Sequence, residues 1–244
     1  MGAYRLFERL AVGGMAEVFL AQEITDGDFG EPLVVKRLHA HLADSESARR
    51  CFENEANILA KVNHPAFIQL FDAGQHNDIP YLAVARVEGL PLEQSGPFEI
   101  EQAIQICADL CEALHHLHSE TQMAHCDVSP NNVLITTTGH VKLADLGISQ
   151  PLGEPALHQE LHANLAYMSP EQARQRKLCP RSDLFSVGII LWELWTRKPL
   201  FAGKNEFETI NNVLKLEVQN PCTINPELPE ACGQFVLSLL ARDI

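Results

Sequence analysis

The hydrophobic pattern of this chain changes period once, near residue 88, and that change limits the folds open to it more than any single motif does. Upstream, short apolar and β-branched runs read as strands. They fall at residues 4–10 and 17–22, around a Gly13-Gly14 turn, and at 32–38, after a hairpin marked by Gly27, Asp28 and Gly30. One helical stretch, 45–62, follows, with Asp44 or Ser45 as its cap and Cys51, Phe52, Ile58, Leu59 and Val62 as its apolar residues. Two more strands are expected at 68–73 and 81–87. Glu88-Gly89-Leu90-Pro91 then breaks the pattern and marks a lobe boundary. Downstream, Ile100, Ala103, Ile104, Cys107, Leu110, Cys111, Leu114 and Leu117 keep helical intervals over 99–119. Short strands at 133–135 and 141–143 and helices at 182–196, 206–216 and 231–241 complete the pattern. The expected class is α+β: a small β-rich lobe, residues 1–87, joined to a larger helical lobe, residues 88–244.

A chain of 244 residues can bury roughly three-quarters of its unfolded surface, enough for a sizeable core. The formal net charge of −14 argues against a nucleic-acid or anionic-membrane partner, since neither surface attracts an acidic protein. It leaves ATP open, because phosphates need only local positive charge and a cation. Seven cysteines are scattered without a Cys-x-x-Cys, which reads as reduced thiols in a cytosolic protein rather than disulfides or zinc. His115, His116 and His118 read as helix-surface and packing residues rather than ligands. The N-terminus enters charged sequence at once, and the most apolar run, 187–195, carries Glu193 and is too short to span a bilayer. No membrane segment is expected, and the expected location is cytoplasmic.

The chemistry concentrates in four places. His125-Cys126-Asp127-Val128-Ser129-Pro130-Asn131-Asn132 sets an Asp and an Asn five residues apart in a loop, and Asp145-Leu146-Gly147 follows. Upstream, Val34-Val35-Lys36 ends a strand, and Glu55 or Glu53 on the next helix is a candidate partner for the lysine. Taken singly, a loop Asp is a turn or cap, a strand-end Lys a solvated edge charge, and Gly13-Gly14 a hairpin. As an ordered set they resemble the catalytic loop, metal loop and phosphate-binding lysine of a protein kinase. Tyr167-Met168-Ser169-Pro170-Glu171 resembles the segment that closes a kinase activation segment, and Asp183-Leu184-Phe185-Ser186-Val187-Gly188 the start of the large central helix. The chain is similar along nearly its whole length to the bacterial branch of eukaryotic-like (Hanks-type) Ser/Thr protein kinases. Its wording around 13–21 and 127–134 is most like that of myxobacterial members.

The resemblance implies a two-lobed kinase fold over 1–244, ATP with Mg²⁺ (or Mn²⁺) as cofactors, protein substrates, and a lobe surface open to dimer formation. Lys36 would contact the α- and β-phosphates, held by Glu55, whose family spacing and helix face favour it over Glu53. Ala11, Val12, Gly13 and Gly14 would form the phosphate loop, in which Ala11 and Ala16 stand where two of three glycines are usual. Adenine would lie between Val18 and Val34 above and Leu134 below, with Val84 behind and the backbone of Ala85 and Val87 at the hinge. Asp127 would accept the substrate's hydroxyl proton, and Asn132 and Asp145 would hold the metal.

Three departures from the family pattern carry consequences. Cys126 replaces the Arg that pairs with an activation-segment phosphate, and Ser149 is the only Ser or Thr between Asp145 and Ser169. Receiver and phosphate site are missing together, so activity is expected not to depend on phosphorylation there. Ser129 replaces the usual catalytic-loop Lys and Asn164 the usual Thr. The two are expected to bond each other and Asp127, and turnover is expected to be slower for want of a cation. Finally, kinases of this type continue past the equivalent of residue 244 with another helix and an Arg that pairs with the Glu matching Glu171. Arg242 comes too early to be that Arg, so the helical lobe is expected to lack its last helix. The competing readings are a pseudokinase that binds or scaffolds partners and, less compatible with 167–171, a small-molecule kinase.

Overall fold

The computed structural model describes residues 1–25, 28–156 and 164–242, and in it the two halves separate where the period changes. Gly27 of the expected hairpin lies outside the described residues. In the first half β1 (Tyr4–Val12), β2 (Ala16–Thr25) and β3 (Asp28–Leu38) precede α1 (Glu46–Leu59), and β4 (Leu70–His76) and β5 (Ile79–Ala85) follow it. The strands form one antiparallel sheet in the order β1-β2-β3-β5-β4. Side chains alternate across it. Leu33 and Val35 pack on one face with Tyr4, Ala21, Tyr81 and Ala83. Leu38 packs on the other with Ala16, Leu82 and, from α1, Ala48 and Phe52. Lys36 falls on this second face, the one that α1 covers.

Ser45, not Asp44, caps α1: its hydroxyl accepts the Ala48 N–H at 3.4 Å. The hairpin β4–β5 differs from expectation. It turns at Asn77-Asp78, both left-handed with φ of 51° and 62°, so the strands run 70–76 and 79–85 rather than 68–73 and 81–87. Two consecutive left-handed residues match the twist of a two-residue hairpin, and Asn and Asp tolerate that conformation best. Val87 therefore lies beyond β5.

The second half begins with β6 (Gly89–Pro91) and α2 (Ile100–Thr121), followed by β7 (Met123–Ala124), β8 (Val133–Thr136), β9 (Val141–Leu143) and β10 (Gln150–Pro151). β6, β8 and β9 form a three-stranded sheet that carries Leu134. A Cβ on Gly89 would lie 2.2 Å from the Ile135 carbonyl oxygen, so only glycine lets β6 approach β8. The helices α3 (Pro170–Ala173), α4 (Pro180–Thr196), α5 (Glu206–Lys215) and α6 (Glu230–Leu239) complete the lobe. α4 buries residues around its circumference, among them Phe185, Val187, Ile189, Ile190 and Trp192. A helix apolar on all sides belongs at the centre of a lobe. There it joins Leu110, Leu114 and Leu117 of α2 in one core. Among the described residues no helix is long and apolar enough to cross a membrane.

Candidate active site

β3 delivers Lys36 into the cleft between the lobes. Its Nζ lies 2.8 Å from Glu55 Oε2 and 2.9 Å from Asp145 Oδ1. Glu55 is buried on the α1 face that also carries Phe52 and Ile58, whereas Glu53 is exposed. The Phe52 ring lies 5.7 Å from the same ammonium. Burial would push the Lys36 ammonium toward its neutral form, but the Asp145 and Glu55 carboxylates outweigh it and raise its pKa, so the group stays charged. A Cβ on Gly147 would sit 3.3 Å from Asp145 Oδ1, a tight contact that a shift of a few tenths of an ångström would relieve, and 3.6 Å from Glu55 Oε2, an ordinary contact. Asp145 itself holds a left-handed φ of 64°, an uncommon conformation that the surrounding contacts must maintain.

The loop 125–132 hangs from α4. Asp183, in the first turn and 1% exposed, accepts the backbone N–H of His125 at 2.8 Å and of Cys126 at 2.9 Å. His118 Nε2 lies 2.7 Å from the same carboxylate. His118 is thus a strut between α2 and the loop. Nothing local in the sequence marks it, since its partner lies 65 positions away. Asn132 donates its side-chain N–H groups to the Asp127 carbonyl at 2.9 Å and carboxylate at 2.8 Å. Among the described residues the Asn132 side-chain oxygen takes no hydrogen bond, so it could meet a cation. The Ala144 N–H donates to the Asn132 carbonyl at 2.9 Å, which ties this loop to the residue before Asp145. Burial, then the Asp145 charge, push the Asp127 carboxyl up to about 6, while Asn132 and the Asn164 backbone N–H draw it down.

Ser129 is 1% exposed. Among the described residues no hydrogen bond joins it to Asn164, contrary to expectation. Asn164 faces Asp127 through its backbone and gives its carbonyl to the Tyr167 N–H at 2.9 Å. The loop 125–132 itself contains no Lys or Arg.

The four apolar residues assigned to the nucleotide pocket are half-buried. Val18 pairs across from Lys36, and Val34 from Val84, so these three side chains share the Lys36 face. The Ala85 N–H is engaged by the Gln69 carbonyl at 2.8 Å, which leaves the Ala85 carbonyl as the group it can offer. Ala11, Val12, Gly13 and Gly14 lie exposed at the β1–β2 turn. Among the described residues no three His, Cys, Asp or Glu side chains converge on a metal site. Asn132 and Asp145 carry three side-chain oxygens between them, one amide and two carboxylate, a donor type that would suit a hard cation completed by water and phosphate oxygens.

Beyond Asp145-Leu146-Gly147, residues 150–156 are held by backbone hydrogen bonds and apolar packing. β10 pairs with β7, the Gly153 N–H donates to the Leu178 carbonyl at 2.8 Å, and the Ala156 N–H to the Arg176 carbonyl at 2.9 Å. Beneath them Cys126, Ala124, Ala156 and Leu178 form an apolar cluster, and burial pushes the Cys126 thiol well up. Gln172 of the one-turn helix α3 donates to the Cys126 carbonyl at 2.7 Å, and Asn54 of α1 donates to the Ser149 carbonyl at 2.9 Å. Neither contact was legible in the sequence. Arg242 donates to the carbonyls of Asn212, Val213 and Leu216 at the end of α5, not to Glu171.

The protein kinase domain model matches residues 4–244. The serine/threonine-protein kinase PrkC of Bacillus subtilis is 29% identical over 99% of this chain and 38% of its own length. The serine/threonine-protein kinase PknB of Mycobacterium leprae is 36% identical over 98% of the chain and 40% of its own. The tyrosine-protein kinase MasK of Myxococcus xanthus is 30% identical over 98% and 40%. The chain spans about two-fifths of the length of these relatives. A cleft built on Lys36, Asp127 and Asp145 and a match along almost every residue say the same thing: the chain belongs to the protein kinase family.

Proposed function

We propose that the chain transfers the γ-phosphoryl group of Mg-ATP to Ser or Thr hydroxyls of protein substrates, in bacterial signalling within the cytoplasm. One observation carries the reading. Residues 36, 55 and 145, remote in sequence, meet as a fixed cation between two carboxylates beside the Asp127 loop. In this reading Lys36 binds the α- and β-phosphates and Glu55 fixes its position. Asn132 and Asp145 hold Mg²⁺, with Mn²⁺ as the alternative ion. When bound, the ion neutralises phosphate charge. Asp127 orients the substrate hydroxyl and takes its proton at the carboxylate that Asn132 steers. Val18, Val34, Val84 and Leu134 enclose the base, with the Ala85 carbonyl and the Val87 N–H as hinge partners.

The reading includes independence from activation-segment phosphorylation. Ser149 is 5% exposed and its hydroxyl donates to the His125 carbonyl at 3.2 Å, so it serves the loop as a hydrogen-bond donor. The apolar cluster around Cys126 supports the segment where the family uses an Arg–phosphate pair.

The test is transfer of labelled γ-phosphate to the protein itself or to a generic basic protein, followed by phosphoamino-acid analysis. Asp127→Asn is the control, expected to lower turnover by about 10²–10⁴-fold with ATP affinity within about twofold. ATP binding without transfer by the wild type would establish the pseudokinase instead, and phosphotyrosine as the product would overturn the Ser/Thr assignment.

A further inference from the structure

We infer that His39 is a positioning residue for the phosphate loop, holding its tip so that the Gly14 N–H faces the nucleotide; the inference rests on the Mg-ATP reading of the cleft. The loop 10–18 has alanines at 11 and 16, so its shape must come from contacts rather than from glycine's freedom alone. Residue 39 supplies two of them. His39 Nε2 lies 2.8 Å from the Gly13 carbonyl oxygen, and the His39 backbone N–H donates to the Met15 carbonyl at 2.9 Å. A third bond, Gly13 N–H to the Ala16 carbonyl at 2.8 Å, closes the turn. A carbonyl only accepts, so Nε2 carries the proton, which both the neutral Nε2–H tautomer and the imidazolium provide. The ring stacks on His41, with centroids 5.2 Å apart and planes inclined by 24°.

Peptide geometry turns these contacts into an orientation. His39 continues the extended backbone of β3, with φ of −60° and ψ of 138°. Alternation therefore places His39 on the face opposite Lys36 and Leu38, with Arg37, which bonds Glu17 and lies over Phe19. In a planar trans peptide the N–H of one residue points away from the carbonyl of the residue before it. Drawing the Gly13 carbonyl toward the His39 ring turns the Gly14 N–H toward the Lys36 side, where phosphate would lie, while the Met15 carbonyl, held by the His39 backbone N–H at the end of the β2–β3 ladder, anchors the tip. An N–H held on that side can meet a phosphate oxygen.

The experiment measures dissociation constants for ATP and adenosine, together with KM and kcat for ATP, in the wild type, His39→Ala and His39→Gln. His39→Ala is expected to weaken ATP about 5–10-fold, the upper value being about 1.4 kcal/mol, and to raise KM in parallel. Adenosine affinity and kcat should stay within about twofold, because neither base binding nor Asp127 is touched. Gln presents a donor at similar reach and should restore most of the loss. Should His39→Ala melt early, His39→Phe, which keeps a stacking ring but donates nothing, replaces it. Unchanged ATP affinity, or equal losses for ATP and adenosine, would overturn the role while leaving the kinase reading intact. A wild type that binds no ATP would remove both.

Discussion

Two clamps order the cleft, and they are built from opposite materials. One is ionic: Lys36 between Glu55 and Asp145 joins the sheet, α1 and the metal loop through contacts of 2.8 and 2.9 Å. The other is apolar: Cys126, Ala124, Ala156 and Leu178 pack beneath the segment that follows, whose backbone bonds to residues 176–178. In the proposed reading charge is kept where a charged nucleotide would be met, since packing cannot neutralise phosphate. Among the described residues the cluster around Cys126, where the resemblance would place an Arg–phosphate pair, is apolar, and residues 150–156 are held there by packing and backbone bonds. In the proposed reading the ionic clamp serves a ligand, while the apolar clamp orders residues 150–156 without a modification.

The largest effect should come from breaking the ionic clamp. Lys36→Met leaves Glu55 buried without its partner, and such removal costs about 3–5 kcal/mol in fully buried pairs. The lower end applies here because the Asp145 side chain is 45% exposed. Turnover should fall by about 10²–10³-fold, the usual loss of one positioned electrostatic group. A double-mutant cycle sharpens the comparison: Lys36→Met with Glu55→Met should recover stability but not activity. Recovery of phosphoryl transfer in the double variant would show that the lysine serves folding alone.

The sequence revealed the parts whose signals are local. Strand alternation, the α2 apolar stripe and the Ser45 cap each lie within a few residues, and so do the spacings from Asp127 to Asn132 and Asp145 to Gly147. The bounds of β4 and β5 were misplaced because apolar runs outweighed a two-residue Asn-Asp turn. The single turn of α3 was missed although Ser169 and Gln172 form its capping box, since four residues carry no periodicity. What stayed hidden joins distant positions: His118 to Asp183, Asn54 to Ser149, Gln172 to Cys126. In each, a polar side chain looks like an ordinary helix-surface residue until folding supplies its partner. The Cys126 substitution could be read as a lost charge, but the apolar cluster that replaces it needed Ala156 and Leu178 to be brought alongside.

The apolar clamp is tested by giving it the charge it lacks. Cys126→Arg inserts a large cationic side chain at a site 6% exposed, lined by Ala124, Ala156 and Leu178. Overpacking alone costs about 1–3 kcal/mol. Residues 150–156 should lose protection from hydrogen exchange, and activity should drop severalfold. Cys126→Ala removes only the sulfur and should stay active, with a stability change under about 1.5 kcal/mol. An Arg variant as stable and active as the wild type would show that the pocket still accommodates the family residue and that packing is not what orders the segment.

The smallest effect is expected at Ser149, where the two clamps meet. Its hydroxyl donates to the His125 carbonyl, while its own carbonyl accepts from Asn54 of α1. Ser149→Ala removes the first bond and keeps the second, so stability should fall by about 0.5–1.5 kcal/mol. ATP affinity should hold and turnover should change less than about twofold, because nothing that meets the nucleotide moves. Ser149→Asp should be worse than Ala, since it forces an unpaired charge into a site 5% exposed. The order of the two variants separates a hydrogen-bond donor from a phosphate acceptor. If Asp restored or raised activity while Ala abolished it with ATP binding intact, a modification would be ordering the segment, and the contrast between a charged clamp for the ligand and an uncharged one for the chain would collapse.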